Sequence, residues 1–186
     1  MISEEHRLRK WLFDESREYD PKVPPPTLKQ ITGKNELHLD IEIELELMGV
    51  MNVDESASTV TFKAAFRQWW NDPRLTWKID DFGGVDRLWL TTDDQECWLP
   101  DTIIREDAGG SYFSDFKNTE VRIHADGTHY WTRLGELTVV ASLNFKRYPY
   151  DSQSVNITIG SWLYNDKRLS YFLHDTPEEV TKGLAI

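Results

Sequence analysis

Leu37-His38-Leu39-Asp40-Ile41-Glu42-Ile43-Glu44-Leu45-Glu46-Leu47 alternates apolar and polar residues without a break. Period two over this length predicts a β-strand with one dry face and one wet, acidic face. A second alternating run, Val60, Phe62, Ala64 and Phe66, ends in Trp69-Trp70, and the polar stretch Asn52–Ser56 lies between the two. The pair therefore reads as a β-hairpin.

Outward from this hairpin, short strands are expected near Val85–Leu90, Glu96–Leu99, Thr119–His124, Thr128–Thr132, Leu137–Phe145, Ser154–Trp162 and Arg168–Leu173. Gly83-Gly84, Gly109-Gly110, Asp126-Gly127 and Asn165-Asp166 mark turns between them. Only the first segment reads as helix. Ser3 can cap it, Glu4 and Glu5 suit its positive end, and Leu8, Trp11 and Leu12 make one apolar stripe. The stripe fades near Tyr19, and Pro21 and Pro24–Pro26 end it. One helix followed by many short strands predicts an all-β fold, an antiparallel immunoglobulin-like β-sandwich with one N-terminal α-helix.

The 186 residues make a single domain, 1–186, and 39% hydrophobic residues suffice for a core. A formal charge of −11 excludes nucleic acid as a natural partner, because phosphate binding needs clustered Lys and Arg. Cys97 is the one cysteine, so no internal disulfide or multi-thiolate zinc site is available to the sequence. No apolar run approaches a membrane span, and Met1–Arg7 lacks the apolar core of a signal peptide, so the chain as given is expected to be soluble.

Covalent chemistry finds little support. His6, His38, His124, His129 and His174 show no metal-ligand spacing, so neither a metal site nor a cofactor is expected. There is no nucleophile elbow and no phosphate-binding glycine loop. Cys97, between Glu96 and Trp98, reads as a packed strand residue, since acidic neighbours raise a thiol pKa. The carboxylate pairs Asp80-Asp81, Asp93-Asp94 and Glu178-Glu179 are adjacent residues in turns, where solvation explains them. The reading is a binding domain and not an enzyme.

Three stretches identify the kind of binding domain: Phe66-Arg67-Gln68-Trp69-Trp70-Asn71-Asp72-Pro73-Arg74-Leu75-Thr76-Trp77, Trp98-Leu99-Pro100-Asp101, and Tyr148-Pro149-Tyr150-Asp151-Ser152-Gln153 followed by Gly160-Ser161-Trp162. In this order, with Asn52–Glu55 and Asp80–Val85, they resemble the extracellular ligand-binding domain of the pentameric ligand-gated ion channels, the Cys-loop receptor superfamily. The resemblance runs from about Glu4 to about Asn165. It implies a small-molecule ligand bound between identical subunits of a pentameric ring. It also implies a place on the extracellular face of the plasma membrane in a parent receptor, with ligand binding coupled to channel gating.

By resemblance, the principal face of the site takes Trp162, Tyr164 and Arg105, and the complementary face takes Ala65, Arg67, Arg122, Tyr130 and Thr132. Trp162 matches the central aromatic of the cage, where a ring face attracts a cation. The arginines favour an amino-acid-like ligand over a choline-like one. Asp54 and Glu55, with Tyr148, Pro149, Tyr150 and Asp151, fall on the loops that pass the signal to a channel. Trp70, Trp77, Trp98, Pro100 and Asp101 fall on fold-holding positions. The acidic face of the first strand suits a vestibule that concentrates cations.

Two departures from the family stand out. The cysteines that close its loop would fall at Ala141 and Val155, and their loss forfeits about 3 kcal/mol of loop-closure stabilisation. The family's fold also continues beyond Ile186, through a pocket-closing flap to membrane helices, so the domain is expected to be C-terminally incomplete. The alternative is a soluble, channel-less binder similar to the acetylcholine-binding proteins. Asn156-Ile157-Thr158 forms a glycosylation sequon, in keeping with extracellular exposure.

Overall fold

The fold is described from a computed structural model, which covers residues 3–26, 29–30, 37–109, 116, 119–165, 168–174 and 184–185. Helix α1 spans Glu4–Leu12. The strands are β1 Lys29–Gln30, β2 Leu37–Asp54, β3 Thr59–Asn71, β4 Arg87–Leu90, β5 Thr102–Ile104, β6 Val121–His124, β7 Thr128–Val140, β8 Asn156–Ile157, β9 Ile159–Ser161, β10 Leu169–Leu173 and β11 Leu184–Ala185. The all-β sandwich with a single N-terminal helix is thus the observed class. A large sheet runs β1-β2-β3-β7-β6-β4, β10 pairs with β2, and two small sheets pair β5 with β9 and β8 with β11. The pairings are antiparallel except β10 on β2, which is parallel.

The alternating run forms its strand because its two faces meet different surroundings. Leu39, Ile41 and Ile43 are buried, while Glu42 and Glu46 are exposed. The strand continues to Asp54, beyond the alternation, through two register shifts, Leu47/Gly49 and Val50/Asn52. Such bulges let a strand continue after its pattern breaks. On β3, Val60, Phe62, Ala64, Phe66, Gln68 and Trp70 all face the interior.

Three expectations are corrected in detail. The helix stops at Leu12, not near Tyr19, because Asp14 accepts the Ser16 amide and starts a separate 3₁₀ turn at Glu15–Arg17. The two strands expected at Thr128–Thr132 and Leu137–Phe145 are one, β7, which keeps its register opposite β3 through Gly135. Glu96–Leu99 is not a strand. Bonds between backbone and side chain replace a ladder there: the Trp98 amide donates to the Tyr19 hydroxyl at 3.1 Å, and the Glu96 carboxylate accepts from the Thr91 amide at 2.8 Å. Cys97 is packed as expected, though in this irregular segment, and burial pushes its thiol up to about 12.

The tryptophan-rich motif holds the upper core. Trp70 packs edge-on to Trp98 at 6.2 Å and stacks on His129 at 5.1 Å. Buried Asp72 accepts from the Arg74 backbone and guanidinium at 2.7 to 3.0 Å, and Arg74 in turn donates to the Val23 carbonyl at 2.9 Å. Gly127, in the β6–β7 turn, receives this motif. Its φ is +84°, and a Cβ there would lie 2.6 Å from the Asp72 carbonyl oxygen, so only glycine fits. Trp77 and Pro100 are buried too, and the Trp77 indole donates to the Val85 carbonyl at 2.7 Å.

Candidate functional site

Side chains of β3, β6 and β7 that point away from the core form one patch. The register sets Arg67 opposite Thr132, Arg122 opposite Tyr130, and Trp69 opposite Tyr130. Arg67, Arg122, Tyr130 and Thr132, the residues expected on the complementary face, are therefore neighbours across three strands. Ala65 lies two register steps along, opposite Leu134, and is fully buried.

The arginines of this patch differ in their commitments. Arg67 donates to Glu44 at 2.8 Å and to Glu46 at 2.7 Å, and the Glu46 hydrogen bond leads the causes that hold its guanidinium above its usual pKa. The β2 acidic face is thereby partly neutralised. Arg122 instead lies 4.6 Å over the Tyr130 ring, and its buried Nε meets no hydrogen-bond partner among the described residues. Tyr130 leans on Trp69 at 5.1 Å, Trp69 stacks on His174 at 4.0 Å, and His174 Nδ1 lies 3.0 Å from Glu42. Sequence reasoning passed over Trp69, His174 and Glu42. Trp69 was legible as an outward residue by parity, but His174 is brought in by the parallel β10–β2 pairing, which no local pattern signals.

The residues expected on the principal face lie just beyond the ends of the small β5–β9 sheet. Trp162 follows β9 and is 68% exposed. Its loop is held by Asp101, whose carboxylate accepts from Ser161 Oγ at 2.7 and 2.8 Å and from the Leu163 amide at 2.7 Å. Ser161 Oγ also accepts the Tyr164 amide at 2.7 Å. Asp101 is thus an anchor for the Trp162 loop as well as a fold-holding residue. Its partner stands 60 positions away, a pairing that only folding reveals. Tyr164 is half-buried and packs against the core, with the Arg168 guanidinium 5.8 Å from its ring. Exposed Arg105 lies at the far end of the ladder, its amide on the Thr158 carbonyl. The three residues of β5 separate it from Asp101, roughly 13 Å of backbone over the four steps.

The two loops expected to pass a signal are linked through the exit of β7. Asp54 closes the β2–β3 turn by accepting from Ser56 Oγ at 2.7 Å and the Ala57 amide at 2.9 Å, bonds that hold its carboxyl below the usual range. Glu55 is exposed in that turn. The Ala141 amide donates to the Ser58 carbonyl at 2.8 Å, which fixes the exit of β7 beside it. From there the chain enters the Tyr148–Gln153 loop, in which Tyr148 and Tyr150 are exposed and the Tyr148-Pro149 bond is cis. Gln153 accepts the Asn144 amide at 2.9 Å and donates to its carbonyl at 3.1 Å, and its side chain also bonds Asp151. A two-point side-chain clip therefore closes this loop near where the family places its disulfide; Ala141 and Val155 are both buried.

Among the described residues no group of three His, Cys, Asp or Glu is placed to hold a metal ion, and no helix is long and apolar enough to cross a membrane.

Comparison with known proteins matches residues 5–184 to the neurotransmitter-gated ion-channel ligand binding domain. Similar curated proteins include the 5-hydroxytryptamine receptor 3A of Rattus norvegicus, 31% identical over 148 residues, covering 78% of this chain and 29% of that protein. The neuronal acetylcholine receptor subunit beta-2 of Rattus norvegicus is 28% identical over 169 residues, covering 91% of this chain and 32% of that protein. The chain thus spans about a third of the length of these relatives.

Proposed function

For a chain that belongs to the neurotransmitter-gated ion-channel ligand-binding domain family, we propose the role of the ligand-sensing extracellular part of a pentameric channel, with the ligand held between identical subunits. Trp162 is the aromatic of the principal face. Arg67, Arg122, Tyr130 and Thr132 form the complementary face, with Ala65 as its floor. Tyr164 supports the Trp162 loop from the core side, and Arg105 lies at the site's margin.

The ligand is amino-acid-like, and Arg122 carries that reading. A buried donor without a partner costs free energy, and a ligand carboxylate would remove that cost. Arg67, already bonded to Glu44 and Glu46, organises the patch instead of meeting the ligand. An ammonium group would find the Trp162 ring. Binding favours one arrangement of the ring, and the Asp54-Glu55 turn and Tyr148-Pro149-Tyr150-Asp151 loop pass that bias on. The parent receptor then displays this domain on the extracellular face of the plasma membrane.

Titration of the assembled protein with glutamate, GABA, glycine and choline, followed by tryptophan emission, tests the reading. An amino-acid response that disappears in Arg122→Gln is expected. Choline binding with no amino-acid response would refute the role of Arg122.

A further inference from the structure

The complementary-face strands and the Trp162 loop are joined through the interior by a chain of polar side chains. Arg133 Nη2 on β7 donates to Gln68 Oε1 on β3 at 3.0 Å. Gln68 Nε2 donates to Thr102 Oγ1 on β5 at 2.6 Å, and that hydroxyl bonds the Tyr171 hydroxyl on β10 at 3.1 Å. All four residues are buried, Gln68 completely. Burial pulls the Arg133 guanidinium down to about 10 and pushes the Tyr171 phenol up.

The positions flanking this chain carry its importance. Gln68 is next to Arg67, and Arg133 is next to Thr132, so the bonded side chains lie directly behind the complementary patch. At the other end Thr102 follows Asp101, the carboxylate that holds Ser161 and Leu163, and Thr102 itself pairs with Ser161 in the β5–β9 ladder. Gln68 to Thr102 is thus a side-chain hydrogen bond that joins the patch strands β3 and β7 to the strand that anchors Trp162. In a dry interior such bonds are strong, and breaking one strands two buried groups. The joint therefore resists sliding and transmits displacement.

We propose that Gln68 and Thr102 are positioning residues that lock the Trp162 loop to the complementary face of the same subunit. In a ring where each subunit gives one face to each of two neighbouring sites, this lock couples adjacent sites. The proposal takes its two end-points from the function proposed above, but its test needs no ligand.

Hydrogen–deuterium exchange on the full, ligand-free chain reads the lock directly. The Leu163 and Tyr164 amides, which donate to Asp101 and Ser161, are the reporters. Thr102→Val keeps the side-chain shape and removes the hydroxyl, and should speed their exchange about tenfold. Gln68→Met should do the same from across the core, and Thr102→Ser should restore protection. The Phe62 and Leu137 amides serve as reference sites, and Val121→Ala as a destabilised control outside the chain. Unchanged protection at Leu163 and Tyr164 in Thr102→Val overturns the proposal. A uniform rise at every site, matching Val121→Ala, overturns it as well. A failed ligand titration leaves this exchange result standing, so the two readings fail separately.

Discussion

His129 should make the domain acid-sensitive in a defined window. The ring is fully buried, stacked on Trp70, with Nδ1 2.8 Å from the Gly127 carbonyl oxygen and Nε2 without a partner among the described residues. Desolvation dominates and lowers its pKa from 6.5 to about 4, against opposing contributions from the Gly127 bond and Asp72. The unfolded chain therefore binds this proton first. Between about pH 6.5 and 4 the unfolded state holds more protons than the native one, so stability falls as pH falls. The interval of roughly 2.5 pH units, at about 1.4 kcal/mol per unit, amounts to about 3 kcal/mol. That is a large share of the 5–15 kcal/mol typical of a domain. His129→Phe removes the titration yet keeps a ring on Trp70, and the Gly127 carbonyl still accepts the Asp72 amide at 2.9 Å. Urea unfolding followed by tryptophan emission at pH 7, 6, 5 and 4 measures the effect. The gap between variant and parent should grow by about 3 kcal/mol in the variant's favour from pH 7 to pH 4. Carboxylate titrations are common to both proteins and cancel. Parallel stability curves across that range would refute the assignment.

Three further outcomes follow from the same geometry. Asp101→Ala should cost about 2 kcal/mol through the lost carboxylate bonds and free the Trp162 loop, read as lower emission anisotropy together with a lower unfolding midpoint. Gln153→Ala opens the clip to Asn144, so tryptic cleavage at Lys146 and Arg147 should run roughly fivefold faster while the global unfolding midpoint barely moves. Cys97, only 2% exposed and with its thiol raised to about 12, should resist iodoacetamide at pH 8 in the folded chain and react once urea unfolds it.

The hairpin, the single helix and the buried motif tryptophans were legible because each rests on local physics. Parity along Leu39–Ile43 sorted dry from wet side chains before any partner was known, and Ser3 announced the helix. Arg67, Tyr130 and Thr132 were named from the resemblance alone; their strands do alternate them with buried neighbours, which accounts for their outward parity and not for a role. Glu96–Leu99 misled because its apolar residues imitate a strand while the Trp98 amide goes to the hydroxyl of distant Tyr19.

The sequence by itself determined the class of fold and the acidic character, because alternation, charge and turn residues act over a few neighbours, and its motifs carried the resemblance to the family. Only the tertiary structure decided which arginine is committed and which keeps a buried Nε with no partner among the described residues. Pairing of β2 with β3 brings Glu44 and Glu46 to Arg67, and pairing of β6 with β7 lays Arg122 on Tyr130. It likewise decided that Asp101 holds the Trp162 loop and that Gln68 reaches Thr102. These contacts join residues far apart in the chain, and their partners are fixed by how the sheets pack, which no short-range pattern encodes.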